Sequence, residues 1–441
     1  MIQLPELFLT NMKELLGEEY EAFLGSYNDP TRRGLRFNLL KTSCATLVRC
    51  QGDSSDDTFR NLIPVPWCGE GYEYPGDMRP AKSILYNAGL FYIQEPSAMC
   101  PAAILRPEPG DRVLDLCAAP GGKSVQLAGY MQGRGVLVSN DASPSRAKAL
   151  VKNLELAGVT NAIVLTEMPY RLADRFEGYF DCILVDAPCS GEGMFRRDPD
   201  AIKAYTANKP EACAQIQQDI LHHASRMLKP GGRMVYSTCT FNTVENEGSI
   251  NDFISSYEGY KLNLIKRIWP HKDPGEGHFI AHMTKAGKRD FSPDIPINKP
   301  PREFEAFCDE ALESFPFTGG RFYLGDIAKS NSQRLFFLPQ ALELSGLRVA
   351  RSGWLLGEIS KGRFIPSQAL AMGIIKTQAR HAVDLSESDA TRYLKGESLA
   401  TEKDIPGKPW ILICYQGHPL GWARLVQGRL KNHLPTGWVL A

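Results

Sequence analysis

The stretch Val-Leu-Asp-Leu-Cys-Ala-Ala-Pro-Gly-Gly-Lys-Ser at residues 113–124 decides the fold class. Its first four residues are typical of a buried strand, the small residues that follow predict a tight turn, and a helix is expected to begin near Lys123. The two glycines let the backbone approach a ligand closely, and the first N–H groups of the helix attract a carboxylate or a phosphate. The residues alone fit either a ligand-binding turn or an ordinary connection between strand and helix.

Further short apolar runs downstream predict a parallel sheet. Such runs are typical of strands that are buried on both faces, and helical patterns between them are typical of crossover connections. We therefore predict an α/β fold, a doubly wound Rossmann-like domain whose ligands bind at the carboxyl ends of the strands. The predicted strands are Val113–Leu116, Val136–Val138, Ala162–Leu165, Cys182–Val185 and Met234–Tyr236, and the predicted helices include Ser143–Ala157 and Ala212–Leu228.

The turn also limits the kind of ligand. It matches neither the three-glycine dinucleotide motif nor the phosphate-binding loop of nucleotide triphosphatases. Asp141 follows the second predicted strand, where an acid can bind both hydroxyls of a ribose. An acidic residue placed to bind a ribose, combined with a turn that lacks a pyrophosphate-binding motif, fits a nucleoside that carries an amino-acid carboxylate. The sequence therefore favours S-adenosylmethionine (SAM) as cofactor.

Composition sets the remaining boundaries. The chain has 441 residues with 50 Lys+Arg and 50 Asp+Glu, which excludes a disordered chain and a strongly basic nucleic-acid-coating protein. We predict an accessory domain over residues 1–105, the α/β domain over 106–283, a Pro-rich linker over 284–302 and one or two small α+β domains over 303–441. Neither a signal peptide nor a membrane span is apparent, so a cytoplasmic protein is expected. The 11 cysteines include no C-x-x-C pair, so no metal is expected.

Two of the cysteines follow predicted strands. Cys189 lies in Asp-Ala-Pro-Cys-Ser-Gly-Glu-Gly at 186–193, and Cys239 lies in Ser-Thr-Cys-Thr at 237–240. Both sequences can emerge at the sheet edge that carries the cofactor turn. A thiol there can attack an electron-poor ring carbon while Asp186 hydrogen-bonds or protonates a ring nitrogen, which suits covalent catalysis. For most of the other cysteines, packing is the expected role.

These motifs resemble a known family. Together with Gln94–Ser97 and the 117–124 turn, they are similar to the RNA cytosine-5 methyltransferases of the Nol/Nop/Sun family. Arg-Phe-Asn at 36–38, the segment 275–279 and parts of the tail resemble its bacterial RsmF-type branch, which methylates small-subunit (16S) ribosomal RNA. The resemblance implies a class I SAM-dependent methyltransferase domain, an N-terminal α+β RNA-binding domain and a PUA-like C-terminal region.

The resemblance also implies individual roles. Cys239 is expected to add to C6 of cytosine, and Cys189 to assist loss of the C5 proton and release of the RNA. Asp186 is expected to contact the base edge and the cofactor, with Lys123 beside it. For the cofactor, the methionine moiety is expected at Cys117, Ala118, Ala119, Pro120, Gly121, Gly122 and Lys123, the ribose at Asp141 and the adenine at Glu167.

A target cytosine must leave its stack to reach a thiol, so RNA-gripping residues are expected near the site. Candidates are Arg36, Arg196, Arg197 and, in the tail, Lys431, because residues 341–441 hold 13 Lys+Arg against 8 Asp+Glu. The expected partner is ribosomal RNA or the small ribosomal subunit, bound by a monomer. Transfer RNA is an alternative substrate. A second alternative is a non-catalytic assembly or RNA-binding factor, in which catalytic residues would be missing. A DNA cytosine methyltransferase would be expected to lack the Thr-Cys motif.

Overall fold

A computed structural model describes residues 3–42, 59, 61–206, 209–288, 297–317, 319–327, 331–340, 342–401 and 407–440. Part of the predicted linker, residues 289–296, therefore lies outside the described residues. Helices form over Glu6–Leu16, Tyr20–Gly25, Ile84–Asn87, Cys100–Leu105, Gly122–Met131, Pro144–Leu156, Pro169–Arg175, Pro199–Lys203, Lys209–Met227, Ser249–Ser256, Arg302–Ala311, Gln368–Gly373 and Glu387–Leu394. In these ranges no helix is both long and apolar enough to cross a membrane.

The strands of the described residues form four sheets. The strands are β1 Gly34–Phe37, β2 Ile63–Val65, β3 Cys68–Glu73, β4 Phe91–Ile93, β5 Arg112–Asp115, β6 Val136–Asn140, β7 Ala162–Leu165, β8 Phe180–Asp186, β9 Leu228–Thr238, β10 Tyr260–Ile268, β11 His278–Lys285, β12 Arg321–Asp326, β13 Gln333–Leu338, β14 Val349–Arg351, β15 Trp354–Ser360, β16 Arg363–Pro366, β17 Ala382–Asp384, β18 Leu399–Ala400, β19 Trp410–Tyr415, β20 His418–Val426 and β21 Arg429–Asn432. The N-terminal sheet has the order β2-β3-β1-β4, the central sheet β10-β11-β9-β8-β5-β6-β7-β14, and the two C-terminal sheets β12-β13-β15-β16 and β17-β19-β20-β21-β18.

The central sheet confirms the α/β prediction. Its five middle strands, β9, β8, β5, β6 and β7, run parallel and correspond to the five predicted strands. Successive residues of a strand point to opposite faces of a sheet. Leu114 accordingly packs into the hydrophobic core on one face and Val113 into the core on the other. Because helices cover both faces, these strands are apolar throughout rather than alternating.

The sheet is mixed, and one edge comes from the C-terminal region. β11 and β10 add antiparallel strands beside β9, and β14 pairs antiparallel with β7 at the opposite edge. An ion pair between Arg351 and Glu155 also ties this segment to the α/β domain. The predicted division at residue 303 does not account for β14. A strand of three residues is too short to produce a recognisable hydrophobic period.

The outer parts of the chain pack onto the α/β domain and onto each other. Leu35 and Phe37 of the N-terminal sheet share a hydrophobic core with Tyr393 of the Glu387–Leu394 helix and Ile413 of the last sheet. The first two helices instead form an aromatic cluster with the loops that follow β8 and β9, through Phe8, Phe23, Phe195 and Phe241. The N-terminal region therefore supports the loops at the carboxyl ends of the central strands.

Candidate active site

A cavity of about 470 Å³ opens at the carboxyl ends of β5 and β8. One wall is the 117–123 turn, and the other combines the N-terminal Gln94–Glu95 segment with the loop after β8. The cavity therefore lies where ligands bind in open α/β sheets. Its lining residues are Tyr92, Ile93, Gln94, Glu95, Ala98, Asp115, Cys117, Ala118, Ala119, Pro120, Gly122, Lys123, Asp186, Met194 and Arg197.

The turn is held in one shape by its neighbours. Gly121 has φ +113°, a conformation that favours glycine, and a Cβ there would lie 3.0 Å from the Leu150 side chain. Arg146 donates to the Ala119 carbonyl at 2.8 Å, and Asn153 donates to the Pro120 carbonyl at 2.8 Å. The backbone of the turn is thus available to a ligand with little rearrangement.

Asp115, the last residue of β5, was missed by the sequence analysis. Its side chain is buried; Oδ2 accepts a hydrogen bond from Ser124 at 2.7 Å, whereas Oδ1 has no partner among the described residues. Burial raises the pKa of this carboxyl to about 7. An unpaired carboxylate oxygen in the wall fits the ammonium group of SAM, and the small-residue turn fits its methionine moiety. The signal available in the sequence was an acid at the end of the first strand.

Asp186 lies at the centre of a charged cluster. Its Oδ2 is 2.7 Å from Lys123 Nζ, and its Oδ1 accepts a hydrogen bond from Ser237 at 2.8 Å. His278 Nε2 lies 3.7 Å from Oδ1. Burial by itself would raise the pKa of Asp186, but Lys123 and His278 outweigh it and hold that pKa well below its ordinary range. Asp186 also raises the pKa of Lys123 against the opposing effect of burial. The pair is therefore ionised, and the carboxylate is an acceptor.

The structure brings the two cysteines together as predicted from their positions after β8 and β9. Their Sγ atoms lie 3.3 Å apart, and both residues are partly exposed. The Cys239 sulfur beside it, together with burial, raises the pKa of the Cys189 thiol well above its ordinary value. Cys239 is also close enough to Lys123 to raise the pKa of that amine. One cysteine is therefore held as a thiol, and the other lies beside an ammonium group.

The two residues predicted to contact the nucleoside are both buried. Asp141 accepts hydrogen bonds from the main-chain N–H groups of Ser143 at 3.0 Å and Ala119 at 3.3 Å. The assignment of Glu167 to adenine disagrees with its placement. Its carboxylate is fully buried and binds the main-chain N–H of Arg348 at 2.7 Å and the Arg348 guanidinium at 3.1 Å. This partner comes from the distant segment next to β14.

Two of the four predicted RNA-contacting residues are internal, so that prediction is wrong for them. Arg196 forms a buried ion pair with Glu276 at 2.6 Å. Arg36 is 2% exposed and donates to the Gly122 carbonyl at 2.7 Å and to the Gln94 side chain at 3.1 Å. A buried guanidinium cannot reach an RNA phosphate, and Arg36 instead braces the cofactor turn. Arg197 and Lys431 are exposed, and Arg197 lines the cavity.

We expect Arg36→Ala to lower the free energy of unfolding by about 3 kcal/mol, because it leaves a cavity and removes a charged donor from the buried Gly122 carbonyl and the half-buried Gln94 side chain. Urea denaturation measures this change. Arg33→Ala is the matched control: the side chain is exposed and, within the described residues, donates only to the Gly76 carbonyl, so a loss below about 0.5 kcal/mol is expected. Equal losses for the two variants would contradict a bracing role for Arg36.

Comparison with known proteins identifies the family. Consecutive family models match the N-terminal domain of 16S rRNA methyltransferase RsmF over residues 4–96, 16S rRNA methyltransferase RsmB/F over 102–284, the first C-terminal domain of RsmF rRNA methyltransferase over 306–374 and the methyltransferase RsmF PUA domain over 380–440. Ribosomal RNA small subunit methyltransferase F of Erwinia tasmaniensis is 32% identical over 98% of this chain and 96% of that protein. The chain belongs to the RsmB/F family of 16S rRNA methyltransferases. The family resemblance of the motifs is thereby confirmed.

Other RsmB/F-type relatives and solved structures agree. The protein of the same name from Shewanella loihica is 32% identical over 100% of this chain and 96% of its own. A methyltransferase homologue from Pyrococcus horikoshii is 30% identical, with a TM-score of 0.55, over 64% of this chain and 96% of that structure. NSun6 from the same organism, crystallised with SFG, is 22% identical with a TM-score of 0.55 and shares the fold over 64% of this chain and 99% of its own. The chain is therefore a SAM-dependent methyltransferase of the RNA cytosine-5 class.

Proposed function

We propose that this RsmB/F-family protein methylates C5 of cytosine in 16S ribosomal RNA through a covalent bond between Cys239 and C6 of the base. The observation that carries the proposal is the pair of thiols 3.3 Å apart beside the ionised Asp186–Lys123 pair. Asp186 and Lys123 line the same cavity as the cofactor turn, and Cys239 lies close to Lys123. Names of relatives that act on the small-subunit RNA support the choice of substrate.

The chemistry assigned to each residue follows from its environment. Sγ of Cys239 bonds to C6, the electron pair of the C5–C6 double bond is released toward C5, and the proton lost by the thiol is balanced by one gained at N3. Ionised Asp186 accepts a hydrogen bond from the base edge and stabilises that proton, with Lys123 fixing the carboxylate at 2.7 Å. Bound SAM supplies the methyl group that C5 takes up. The C5 proton is then lost to water, its electron pair restores the C5–C6 double bond, and the C6–S bond breaks. The departing Cys239 sulfur takes back the proton held at N3, and Cys189, a thiol beside that sulfur, assists this loss and release.

Access to the base requires RNA deformation. Unstacking a paired base costs a few kcal/mol, which contacts around the cavity must offset. Arg197 is exposed at the cavity, so we assign it to a phosphate next to the target nucleotide, and we assign Lys431 to the tail contact. A non-catalytic assembly factor is disfavoured, because Asp186, Lys123 and both thiols are present and in contact.

The substrate is tested by bisulfite sequencing of ribosomal and transfer RNA from cells with and without the gene. We expect a protected cytosine in 16S ribosomal RNA that becomes convertible when the gene is deleted and is protected again by the wild-type copy. A change confined to transfer RNA would overturn the choice of substrate. A metal-free site, a monomeric protein and a cytoplasmic location remain predictions that accompany this substrate.

The raised pKa of Asp115 leads us to expect that cofactor binding depends on pH. Its pKa of about 7 means that the carboxyl is protonated below and ionised above this pH in the empty site. An ammonium group binds the ionised form, so affinity for S-adenosylhomocysteine should rise about tenfold from pH 6 to pH 8, with proton release at the lower pH. Titration calorimetry measures both.

Asp115→Asn should bind more weakly at pH 8 and show no such rise. Asp219→Asn, a surface carboxylate on the Lys209–Met227 helix, is the control and should behave like the wild type. A wild-type affinity that does not change with pH would contradict the assignment of Asp115.

A further inference from the structure

A buried carboxylate connects the loops that carry the two thiols, here called the cysteine loops (residues 187–194 after β8 and 239–246 after β9). Glu192 lies in the first cysteine loop and is fully buried. Its Oε2 accepts three hydrogen bonds: from the Thr240 hydroxyl at 2.7 Å, the Phe241 N–H at 2.8 Å and the Asn242 N–H at 2.9 Å. These donors are the three residues that directly follow Cys239. The backbone leaving the proposed nucleophile is thus fixed by the loop of the other thiol.

The same loop also holds Cys239 from its main-chain side. The Gly193 N–H donates to the Cys239 carbonyl at 2.9 Å, and a Cβ on Gly193 would lie 2.9 Å from that oxygen. The second carboxylate oxygen of Glu192 accepts a hydrogen bond from the Tyr205 hydroxyl at 3.0 Å. Glu192 is therefore anchored at both oxygens, and the approach of the loops requires glycine at 193.

A second carboxylate, in the other cysteine loop, accepts a hydrogen bond from the first loop. Glu245 belongs to the second cysteine loop, and its Oε2 accepts hydrogen bonds from the Ser190 N–H at 2.9 Å and from Gln217 at 2.8 Å. Its Oε1 accepts one from Asn242 at 2.8 Å. Each cysteine loop thus supplies one carboxylate that binds donors of the other. This reciprocal arrangement fixes the separation of the thiols from both sides.

We infer that Glu192 is the positioning residue of the reaction, holding the Cys239 thiol against Cys189 and close to Lys123. The inference rests on the proposed covalent function. Hydrogen bonds to a carboxylate are stronger than those between neutral groups, and misplacing a reacting atom by about 1 Å can cost about 100-fold in rate. Glu192 touches neither base nor cofactor in this scheme and acts only through the thiol.

The first readout is the rate at which the two thiols are crosslinked, which reports their geometry in the absence of RNA. Diamide, a thiol oxidant that takes up two electrons and two protons, should link Cys189 to Cys239 at least about tenfold more slowly in Glu192→Ala than in the wild type. The rate of covalent RNA adduct formation in a single turnover should fall about 100-fold. Affinity for S-adenosylhomocysteine should stay within about twofold, which shows that the domain is folded. Glu192→Gln should restore both rates, because its amide oxygen can accept the three donors and its amide nitrogen can donate to Tyr205.

Glu70→Ala is the matched control. Glu70 is also a buried glutamate that accepts a tyrosine hydroxyl, from Tyr130 at 2.6 Å, but it lies in the N-terminal sheet. This variant should keep the wild-type crosslinking rate despite a loss of stability. Thr240→Val, which removes one of the three donors, should slow crosslinking severalfold and serves if Glu192→Ala does not fold.

Unchanged crosslinking in Glu192→Ala or in a folded Thr240→Val overturns the inference, and so does a Glu192→Gln variant as slow as Glu192→Ala. Failure of the wild type to form an RNA adduct, with crosslinking still dependent on Glu192, would instead overturn the covalent function and leave the loop geometry in place.

Discussion

Cys239→Ala is expected to lower methyl transfer to RNA by about 1,000-fold or more, because it removes the atom that bonds to C6 and no other group of the site replaces it. Transfer of tritiated methyl groups from SAM to 16S ribosomal RNA measures the effect. The variant should bind S-adenosylhomocysteine as the wild type does, since Cys239 does not line the cavity proposed to hold the cofactor.

Cys308→Ala is the control for this experiment. Cys308 is a partly buried cysteine on the Arg302–Ala311 helix and packs in a core of the C-terminal region. Its loss should leave methyl transfer near the wild-type level. If Cys239→Ala retains comparable turnover, the nucleophile is a different residue.

Cys189→Ala is expected to have the opposite signature, accumulation of a covalent protein–RNA complex that survives denaturing electrophoresis. The nucleophile is intact, so the bond to C6 forms and the methyl group is transferred, but the group that assists loss of the C5 proton is missing. Up to one methyl group per protein should therefore appear in RNA, followed by no turnover. Loss of the neighbouring sulfur also removes one contact of Cys239.

The Cys189→Ala, Cys239→Ala double variant separates the two roles. It should form no complex at all, since the trapped species needs the Cys239 sulfur. If Cys189→Ala turns over freely without a trapped complex, Cys189 does not govern release. A complex in the double variant would place the bond on another residue.

The positions of the groups proposed for catalysis were predictable from the sequence because each lies within a short contiguous motif. Asp186 ends β8 and Cys189 lies in the loop that follows it. Cys239 follows β9, and Lys123 is the second residue of the helix after the turn. The rule that parallel strands present their carboxyl ends at one edge then brings them together. The Sγ to Sγ contact of 3.3 Å and the Asp186–Lys123 contact of 2.7 Å follow from this arrangement.

The burial of charged side chains was not predictable in this way. Arginine is a residue type typical of RNA-binding surfaces, and Arg36 and Arg196 were predicted to contact RNA for that reason. Their partners in the structure, Gly122 and Glu276, lie far away in the sequence. Whether an arginine faces solvent or closes an interface depends on domain packing, which no local pattern encodes. Glu167 was misassigned for the same reason, because its partner Arg348 comes from the C-terminal region.

The edge strand β14 also has a consequence for biosynthesis. β7 is apolar and fully buried, and without β14 it would present unpaired N–H and C=O groups as a template for pairing with another chain. Translation must proceed past residue 351 before that edge is covered. The nascent methyltransferase sheet is therefore aggregation-prone until most of the chain has left the ribosome, and a polypeptide that ends after β11 is expected to be poorly soluble.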